Sequence, residues 1–508
     1  MKPDTRVFWY SWAALFLLTS AWVLGNPLMA SPDEPQHALK AASVVRGQLD
    51  PPDGDGGSEV RVPYYYNLLT AYPCYVFAPE KTGSCDVRAE RPLGKVVDAV
   101  TPAGRYNPLY YAVVGLPTLA PPGDGVMYAM RMISAALSTF FLALGLRSLA
   151  QAPFAAWAVP GAAAALTPMV VFLSSNVNPA GVEITAAFAL WCQLLTLLRH
   201  PDPSRTVSRV AWIALATLFL ANARGLSLLY GAVIVVAVVA ASRWSDLLDV
   251  LRTRRTWPSF AVVGAACLAA AGWVLGTNSL GSGGAVAYPE LSFLKAAETT
   301  VILGGTYLRN MIGQFGWTDT DLPSNLHIAY AIGAGVVLVL ALAMGTWRER
   351  AVLVGLAGAS FVLPVLIHAS QARYLGIIWQ GRYILPVAIG IPLLAGYIVA
   401  ARVAALPPQV RAALRRPGAA IATTVAAVLA VVQLSAFVVN LHRYVNGIHG
   451  GWFALEPDAW LPPVPLAAVV ALGVVGAGAF CAVLAWSAWS LSAEQPEPVV
   501  QAADGATT

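Results

Sequence analysis

The chain has 508 residues, of which 57% are hydrophobic and only 11% are charged, with a formal net charge of +5 and a mean hydropathy of +0.64. A soluble globular protein carries about 25% charged residues, so this composition excludes a soluble enzyme, a disordered scaffold and a coiled coil. No basic run is interleaved with aromatic residues, which excludes nucleic acid as a partner. The composition therefore predicts a protein that crosses a membrane many times, surrounded by membrane lipids.

Apolar runs of about 20 residues, the length that crosses a bilayer, predict an all-α polytopic membrane protein with about 12 transmembrane helices. The first run is longer than the core of a signal peptide, so it is predicted to stay as an uncleaved helix. The predicted spans are 7–25, 126–148, 153–173, 179–198, 207–222, 225–241, 258–277, 327–345, 351–368, 382–401, 418–440 and 464–489.

Two long segments, 26–125 and 278–326, lie between these spans. The pattern predicts one transmembrane domain over 1–490 and a small, polar, disordered tail over 491–508. Lys and Arg concentrate in the short segments on the side of the N-terminus, so the positive-inside rule places both termini in the cytoplasm and both long loops outside. The short outer segments contain only the arginines Arg131, Arg224, Arg373, Arg382 and Arg443.

The five cysteines fall into two groups. Cys74 and Cys85 share the first long loop, and because that loop is predicted to lie outside the cytoplasm, a disulfide is favoured over two free thiols. Cys192, Cys267 and Cys481 lie within apolar runs and are predicted to be packing residues. No Cys or His spacing is typical of a zinc site, so no metal ligand is assigned.

The first cluster with chemical potential is SPDEPQH at 31–37, just beyond the first span. If a helix begins at Pro32, Asp33 and His37 share one face, whereas Asp33 and Glu34 point about 100° apart. Two interpretations stand at this position. Asp33 or the nearby Ser31 caps the helix, or Asp33 or Glu34 is a catalytic carboxylate with His37 beside it to bind substrate.

A second cluster, QARY at 371–374 and QGRY at 380–383, stands at the outer entrance of the span 382–401. A guanidinium binds two phosphate oxygens at once, so Arg382 is predicted to contact a substrate phosphate. Anchoring of Arg382 to lipid headgroups is the alternative. The other substrate contacts predicted from this cluster are Arg373, Gln380 and Tyr383.

Three further residues stand out. Trp317, in QFGWTDTDLP at 314–323, is equally consistent with stacking on a sugar ring and with a structural loop. Arg224, in the hinge between two outer span ends, is predicted to add positive potential for substrate. Glu183 is the main carboxylate inside a predicted span.

Four of these motifs, taken together and in this order, resemble the DUF2142 family of bacterial membrane proteins. They are PDEPQH at 32–37, NPLYY at 107–111, FGW at 315–317 and QGRY at 380–383. The resemblance extends from the first span to about Tyr444. That family is similar to the GT-C superfamily of polytopic glycosyltransferases, which use polyprenyl-phosphate sugars and commonly carry a catalytic Asp or Glu in the first outer loop.

The resemblance implies a GT-C-like glycosyltransferase of the bacterial cell membrane with its active site on the outer face. It would move a sugar from a polyprenyl-phosphate donor to a glycan or lipid acceptor of the cell envelope. Asp33 or Glu34 would act as general base, and Arg382 would stabilise the departing lipid phosphate. The chain has no Walker A or dinucleotide-binding motif, which agrees with a donor that arrives through the membrane. A divalent cation (Mg or Mn) held by Asp33 and Glu34 is left open, as are the sugar and the acceptor.

Other functions are weighed beside this one. A transporter or flippase of lipid-linked glycans needs polar residues deep inside its spans, whereas here the middle of the spans is mostly Ala, Val, Leu and Gly, with Glu183 as the main exception. A polymerase or ligase of lipid-linked glycans would use a pyrophosphate-linked donor. A non-catalytic assembly partner is the last alternative.

Overall fold

The structure is a computed structural model that describes residues 2–71, 74–85, 87–281 and 286–493. The apolar runs form helices, because a backbone in lipid must satisfy its own hydrogen bonds. In chain order the helices are α1 (Pro3–Gly25), α2 (Glu34–Val44), α3 (Tyr64–Leu68), α4 (Pro108–Val114), α5 (Asp124–Leu149), α6 (Val159–Ala165), α7 (Pro168–Ser174), α8 (Pro179–Arg199), α9 (Thr206–Ala221), α10 (Ser227–Ala241), α11 (Trp244–Arg252), α12 (Trp257–Gly276), α13 (Phe293–Ile302), α14 (Gly304–Gly313), α15 (Ser324–Met344), α16 (Trp347–Leu375), α17 (Leu385–Ala388), α18 (Gly390–Ala404), α19 (Pro408–Asn446) and α20 (Leu466–Ala493).

The strands of the described chain lie in the two long loops. In the first loop, β1 (Asp53–Gly54), β2 (Gly57–Pro63) and β3 (Val96–Thr101) form an antiparallel sheet in which Val60 pairs with Ala99. In the second loop, β4 (Gln314–Phe315) and β5 (Thr320–Asp321) pair as a short hairpin. Four 3-10 turns complete the described secondary structure: Leu116–Leu119, Ala155–Ala158, Arg254–Thr256 and Gly381–Ile384.

The predicted all-α polytopic membrane fold is confirmed. Nine helices within the described residues are long and apolar enough to cross a membrane, or up to eleven if each of two sharply bent helix pairs forms one span. The predicted count of about 12 is not confirmed, although each predicted span coincides with a helix or a bent pair. The shortfall comes from α9, whose 16 residues extend only about 24 Å, less than the roughly 30 Å of a bilayer core.

The helices form a bundle around α8. In α8, 94% of the most apolar 18-residue stretch is buried, because α5, α9 and α10 pack around it. By contrast, only 11% and 17% of the corresponding stretches of α12 and α15 are buried. Exposed apolar faces of this extent are unfavourable in water and favourable against lipid, so α12 and α15 form part of the lipid-facing surface.

Charged side chains collect at the two ends of the bundle. At one end, Glu349 accepts hydrogen bonds from Arg199, at 2.5 Å, and from Arg402, while Asp4 pairs with Arg147 at 3.3 Å. The opposite end contains the two long loops and the segment that follows α1. The charged side chains of the bundle therefore concentrate at its ends, as expected of a structure that spans a membrane.

The two long loops are joined at their shared end. Cys74 and Cys85 form a disulfide with their Cα atoms 5.7 Å apart. Beside this disulfide the buried Arg443 of α19 donates to the carbonyl of Tyr75 at 2.8 Å and to the carboxylate of Asp319 at 3.1 Å. The final helix continues to Ala493, and 494–508, most of the predicted tail, lie outside the described residues.

Candidate active site

Asp33 occupies an unusual backbone position directly before α2. The helix begins at Glu34 rather than at Pro32, and Asp33 has a φ of +66°, a left-handed conformation that residues with a Cβ adopt infrequently. The Asp33 side chain makes no capping hydrogen bond and is 54% exposed. The interpretation of Asp33 as a side-chain cap therefore does not agree with this geometry. Backbone strain of this kind clusters at functional sites.

Glu34, the neighbouring carboxylate, is completely buried in an ion pair with Arg131. The Arg131 guanidinium donates to both carboxylate oxygens, at 2.7 and 2.6 Å. The backbone N–H groups of Val177 and Met29 donate to the same two oxygens, each at 3.1 Å. Arg131 also donates to the Pro27 carbonyl at 2.8 Å. Glu34 and Arg131 therefore fix the turn after α1, and both Glu34 oxygens are occupied by N–H donors.

The hydrogen bonds to Glu34 also decide whether Asp33 and Glu34 can hold a divalent cation together. Because both Glu34 oxygens are filled by four N–H donors, Asp33 and Glu34 do not fit a shared divalent cation. Within the described part of the chain, no group of three or more His, Cys, Asp or Glu side chains is arranged to hold a metal ion. No metal ligand is assigned here.

His37 lies one turn into α2 and is 4% exposed. Its Nδ1 and the hydroxyl of Tyr111, in α4, share a hydrogen bond of 2.8 Å. Burial lowers the pKa of His37 to about 4, although the nearby Asp33 carboxylate acts in the opposite direction. His37 is therefore a neutral hydrogen-bonding group at pH 7.

A cavity of about 540 Å³ opens beside Asp33, at the end of the bundle that contains the long loops. Part of its lining, here called the polar wall, consists of Asp33, His37, Glu183, Arg224 and Tyr383. Another part of the lining, here called the apolar rim, lies just beyond the ends of α12 and α16. It consists of Leu280, Leu375 and Ile378, whose side chains are 41%, 44% and 51% exposed.

Two carboxylate–guanidinium pairs lie at the polar wall, one of them with Arg382, which is buried behind the wall and does not line the cavity. Asp33 lies 3.5 Å from the buried Arg382 guanidinium, and Glu183 lies 3.6 Å from Arg224. The ring of Tyr383 contacts both cations, with its centroid 5.3 Å from Arg382 and 4.9 Å from Arg224. Cation–π contact holds each guanidinium in place without consuming its N–H donors. Each of the two guanidinium groups is thus held between one carboxylate and the Tyr383 ring.

The QGRY segment is positioned by a close backbone approach. The Gly381 N–H donates to Oδ1 of Asn310 at 3.1 Å. A Cβ on Gly381 would lie 1.9 Å from the carbonyl oxygen of Tyr307, a distance that excludes any side chain at this position. Gly381 therefore fastens Arg382 and Tyr383 to α14.

Four predicted substrate contacts are not part of the cavity lining: Arg382, which meets the cavity only through Asp33 and Tyr383, and Trp317, Arg373 and Gln380. Trp317 donates its indole N–H to the carbonyl of Met29 at 3.0 Å and so supports the turn that precedes Asp33. Arg373 is exposed in the last turn of α16, and Gln380, the first residue of the QGRY segment, is partly buried. The structure brings together Asp33, His37, Arg224, Arg382 and Tyr383 from the predicted set.

The cavity also includes residues that sequence reasoning did not select. Arg105, Trp273, His368 and Trp379 line it from the first loop, α12, α16 and the segment after α16. Aromatic and polar residues near span ends are ordinary at membrane interfaces, so these residues carry no sequence signal of their own. They are recognised as candidate site residues only because the fold brings them together around one cavity.

Fold and site together define a polytopic α-helical membrane protein with a polar, partly apolar-rimmed cavity at one end of its bundle. The sequence matches the family described as "Predicted membrane protein (DUF2142)" over residues 16–391. The chain therefore belongs to DUF2142, and the resemblance seen in its motifs is confirmed. No curated protein matches the sequence significantly.

Two solved structures of ArnT from Cupriavidus metallidurans are similar to this chain. The structure bound to undecaprenyl phosphate shares 14% identity, covers 95% of this chain and 77% of its own, and has a TM-score of 0.39. The apo structure shares 13% identity over 95% and 76% of the two chains, with a TM-score of 0.35. Both TM-scores are below 0.5, so this likeness carries no argument about the chemistry of the present chain.

Proposed function

We propose that this protein is a membrane glycosyltransferase that moves a sugar from a polyprenyl-phosphate donor to a cell-envelope glycan or lipid, on the outer face of the bacterial cell membrane. The observation that carries the proposal is the cavity, which joins a charged polar wall to an apolar rim. An amphiphile with an anionic head and an isoprenoid tail matches both surfaces. A volume of about 540 Å³ is that of a pocket for a compact molecule, so the tail would leave past the rim into lipid.

Asp33 is the proposed general base. Of the two carboxylates that follow α1, Asp33 faces the cavity, whereas Glu34 is saturated by Arg131 and two backbone N–H groups. Asp33 would accept the proton of the acceptor hydroxyl while the hydroxyl oxygen bonds to the anomeric carbon of the sugar. At the same time the bond between that carbon and the phosphate oxygen breaks. Arg382, 3.5 Å away, orients the Asp33 carboxylate.

Arg224 is proposed to stabilise the negative charge on the departing phosphate. It lines the cavity directly, and Glu183 and Ser227 hold it: the Ser227 hydroxyl donates to Glu183 at 2.6 Å and accepts from the backbone N–H of Arg224 at 3.0 Å. The sequence favours Arg382 for this role. Arg382 is only 4% exposed and contacts the cavity-lining residues Asp33 and Tyr383. We therefore assign Arg382 the role of holding the Asp33 carboxylate.

The position of Glu183 supports transfer over transport. Alternating access requires polar groups along a path through the bilayer. Glu183 lies near the start of α8, is paired with Arg224, and faces the same cavity as Asp33. Its charge therefore belongs to the site at one end of the bundle.

Two matched amide substitutions test the proposal. Purified protein in lipid nanodiscs would be given labelled polyprenyl-phosphate sugars and a membrane glycan extract. Asp33→Asn is expected to keep the wild-type Tm and lower transfer about 10²–10⁴-fold, since it removes the base. Glu34→Gln is expected to lower the free energy of unfolding by roughly 3–5 kcal/mol, since it leaves Arg131 buried without its counter-charge.

Two outcomes would contradict the proposal in different ways. Wild-type protein that is folded but neither binds a lipid donor nor transfers any sugar would remove the transferase function. Full transfer by Asp33→Asn would leave the function in place and remove Asp33 as base.

A further inference from the structure

We infer that His37 donates a hydrogen bond from Nε2 to a hydroxyl oxygen of the donor sugar, and that Tyr111 fixes the proton on that nitrogen, an inference that rests on the proposed function. His37 lines the cavity. Among the described residues Nε2 of His37 forms no hydrogen bond, and it is not one of the polar atoms that lack both a partner and accessible surface. This nitrogen is therefore unused within the protein and accessible to a ligand in the cavity.

The Tyr111 hydroxyl determines which nitrogen of His37 carries the proton. Tyr111 is completely buried, and Nδ1 of His37, 2.8 Å from the hydroxyl, is its only hydrogen-bond partner in the described part of the chain. If Nδ1 donated to the hydroxyl oxygen, the phenolic hydrogen would remain buried without an acceptor, which is unfavourable. The hydroxyl therefore donates to Nδ1, and the single proton of the neutral imidazole lies on Nε2.

The imidazole ring is held in one orientation by two tyrosines. Tyr106, which also lines the cavity, packs edge-on against His37 with ring centroids 5.4 Å apart. The Tyr111 ring is tilted by 33° against His37 at 5.9 Å. Because Nδ1 is turned toward Tyr111, Nε2 lies on the part of the ring that is left accessible at the cavity. The N–H donor is thus preorganised for a ligand.

The position of His37 favours contact with the sugar. The backbone N–H of His37 donates to the carbonyl of Asp33 at 3.0 Å, so the two residues lie one helical turn apart. Besides burial, the groups that shift the pKa of His37 are the Asp33 carboxylate and the guanidinium groups of Arg224 and Arg382. His37 is therefore close to both the proposed base and the cation proposed for the phosphate. The donor sugar must lie between those two groups, because its anomeric carbon bonds to the phosphate and is attacked by the acceptor hydroxyl.

A neutral N–H donor suits a hydroxyl oxygen. A phosphate oxygen is bound most strongly by a charged donor, and Arg224 supplies one at the same wall. A hydroxyl oxygen accepts from a neutral donor and keeps its own hydrogen for another partner. A site that hydrogen-bonds one hydroxyl rejects an analogue that lacks it, so His37 would help to select the donor sugar.

The first test measures how much the sugar adds to lipid binding. In nanodiscs, the affinity for polyprenyl phosphate is compared with that for a panel of polyprenyl-phosphate hexoses and pentoses. The ratio for the sugar that the wild type binds best is the sugar contribution. His37→Asn keeps an amide near the position of Nδ1 and has no donor at the position of Nε2. It is expected to lower the sugar contribution about 5–10-fold and to leave the affinity for polyprenyl phosphate unchanged.

Further variants and ligands isolate the Nε2 contact. His37→Gln, whose amide reaches the position of Nε2, should keep more of the sugar contribution than His37→Asn, and this comparison holds even if both variants have a lower Tm. The deoxy sugar that lacks the contacted hydroxyl should bind equally to the wild type and His37→Asn. If every monodeoxy analogue still distinguishes these two proteins, a sugar hydroxyl is not the acceptor. His327→Asn is the matched control and should leave binding unchanged, because His327 is also buried and lies outside the described cavity lining.

The second test locates the proton directly, by nitrogen NMR of ligand-free protein with labelled histidines. The signals of His37, assigned by their loss in His37→Gln, should show the hydrogen on Nε2 at pH 7. Tyr111→Phe removes the hydroxyl that fixes this arrangement, so we expect both tautomers to appear and the sugar contribution to decrease. A proton on Nδ1 of His37 in the wild type would overturn the inference.

The inference and the proposed function fail separately. An equal sugar contribution in the wild type and His37→Asn, or none from any sugar in the wild type, would overturn the role of His37 and leave the transferase proposal intact. A His37→Asn effect confined to the KM for the acceptor would also overturn it and assign the N–H to the acceptor. Wild-type protein that binds neither polyprenyl phosphate nor any sugar-bearing donor would overturn both.

Discussion

Asp33 and Glu34 show how far two adjacent residues of like chemistry can differ in role. From the sequence they are equivalent candidates for a general base. In the structure, Glu34 is filled by Arg131, which lies 97 positions further along the chain, while Asp33 stays open to the cavity. No local pattern reports a partner at that separation, so only the packing of α5 against α1 distinguishes the two carboxylates.

His37 gives a prediction at the same scale. Its pKa is about 4 in the folded protein and about 6.5 when unfolded, so between these values the unfolded chain binds the extra proton. Stability is therefore full above about pH 6.5 and decreases as the pH falls toward 4, by roughly 3 kcal/mol at most. Thermal unfolding at pH 7.5 and pH 4.5 measures this difference. In His37→Gln the decrease should be smaller, and an equal decrease in both proteins would assign it to other groups.

At the scale of elements, the segment after α16 depends on one glycine. The Gly381→Ala substitution would place a methyl group 1.9 Å from the Tyr307 carbonyl, so the segment must move away from α14. This displaces Arg382 and Trp379 together, and we expect weaker binding of polyprenyl phosphate and a lower Tm.

Gly358 of α16 provides the matched control for that substitution. A Cβ at Gly358 meets no heavy atom within 4 Å, and alanine is a better helix former than glycine by about 1 kcal/mol. Gly358→Ala should thus keep or slightly raise the Tm and leave ligand binding unchanged. Equal effects of the two substitutions would show that the close approach at Gly381 does not matter.

At the scale of the whole molecule, the two polar ends of the bundle predict a topology. The excess of Lys and Arg on one side predicts that the N-terminus lies in the cytoplasm, and the cavity would then face outward. A cysteine at Asp55, exposed in the first long loop, should react with a membrane-impermeant maleimide in intact cells. A cysteine at Ser204, exposed at the opposite end of the bundle, should react only after permeabilisation. The reverse pattern would place the cavity on the cytoplasmic side and contradict the proposed outer-face reaction.

The sequence by itself determined the parts of this protein that follow from local pattern. Runs of apolar residues are long enough to cross a bilayer wherever they occur, so the helices, the long loops between them and the family were all visible before any packing was known. Even there, the predicted number of about 12 spans was not confirmed, because hydropathy does not report that α9 is short or that the chain bends by 66° between α6 and α7.

The tertiary structure decided everything that depends on which distant residues meet. The cavity is built from the first loop, α8, α12, α16 and the QGRY segment, and Trp317, a reasonable sugar contact by composition, proved to support the turn before Asp33. Burial, hydrogen-bond saturation and ion pairing depend on which residues are in contact in the folded chain, and residue type alone does not determine them. For that reason the sequence left Asp33 and Glu34 as equal candidates, and only the fold separated a carboxylate saturated by N–H donors from one that is open to the cavity.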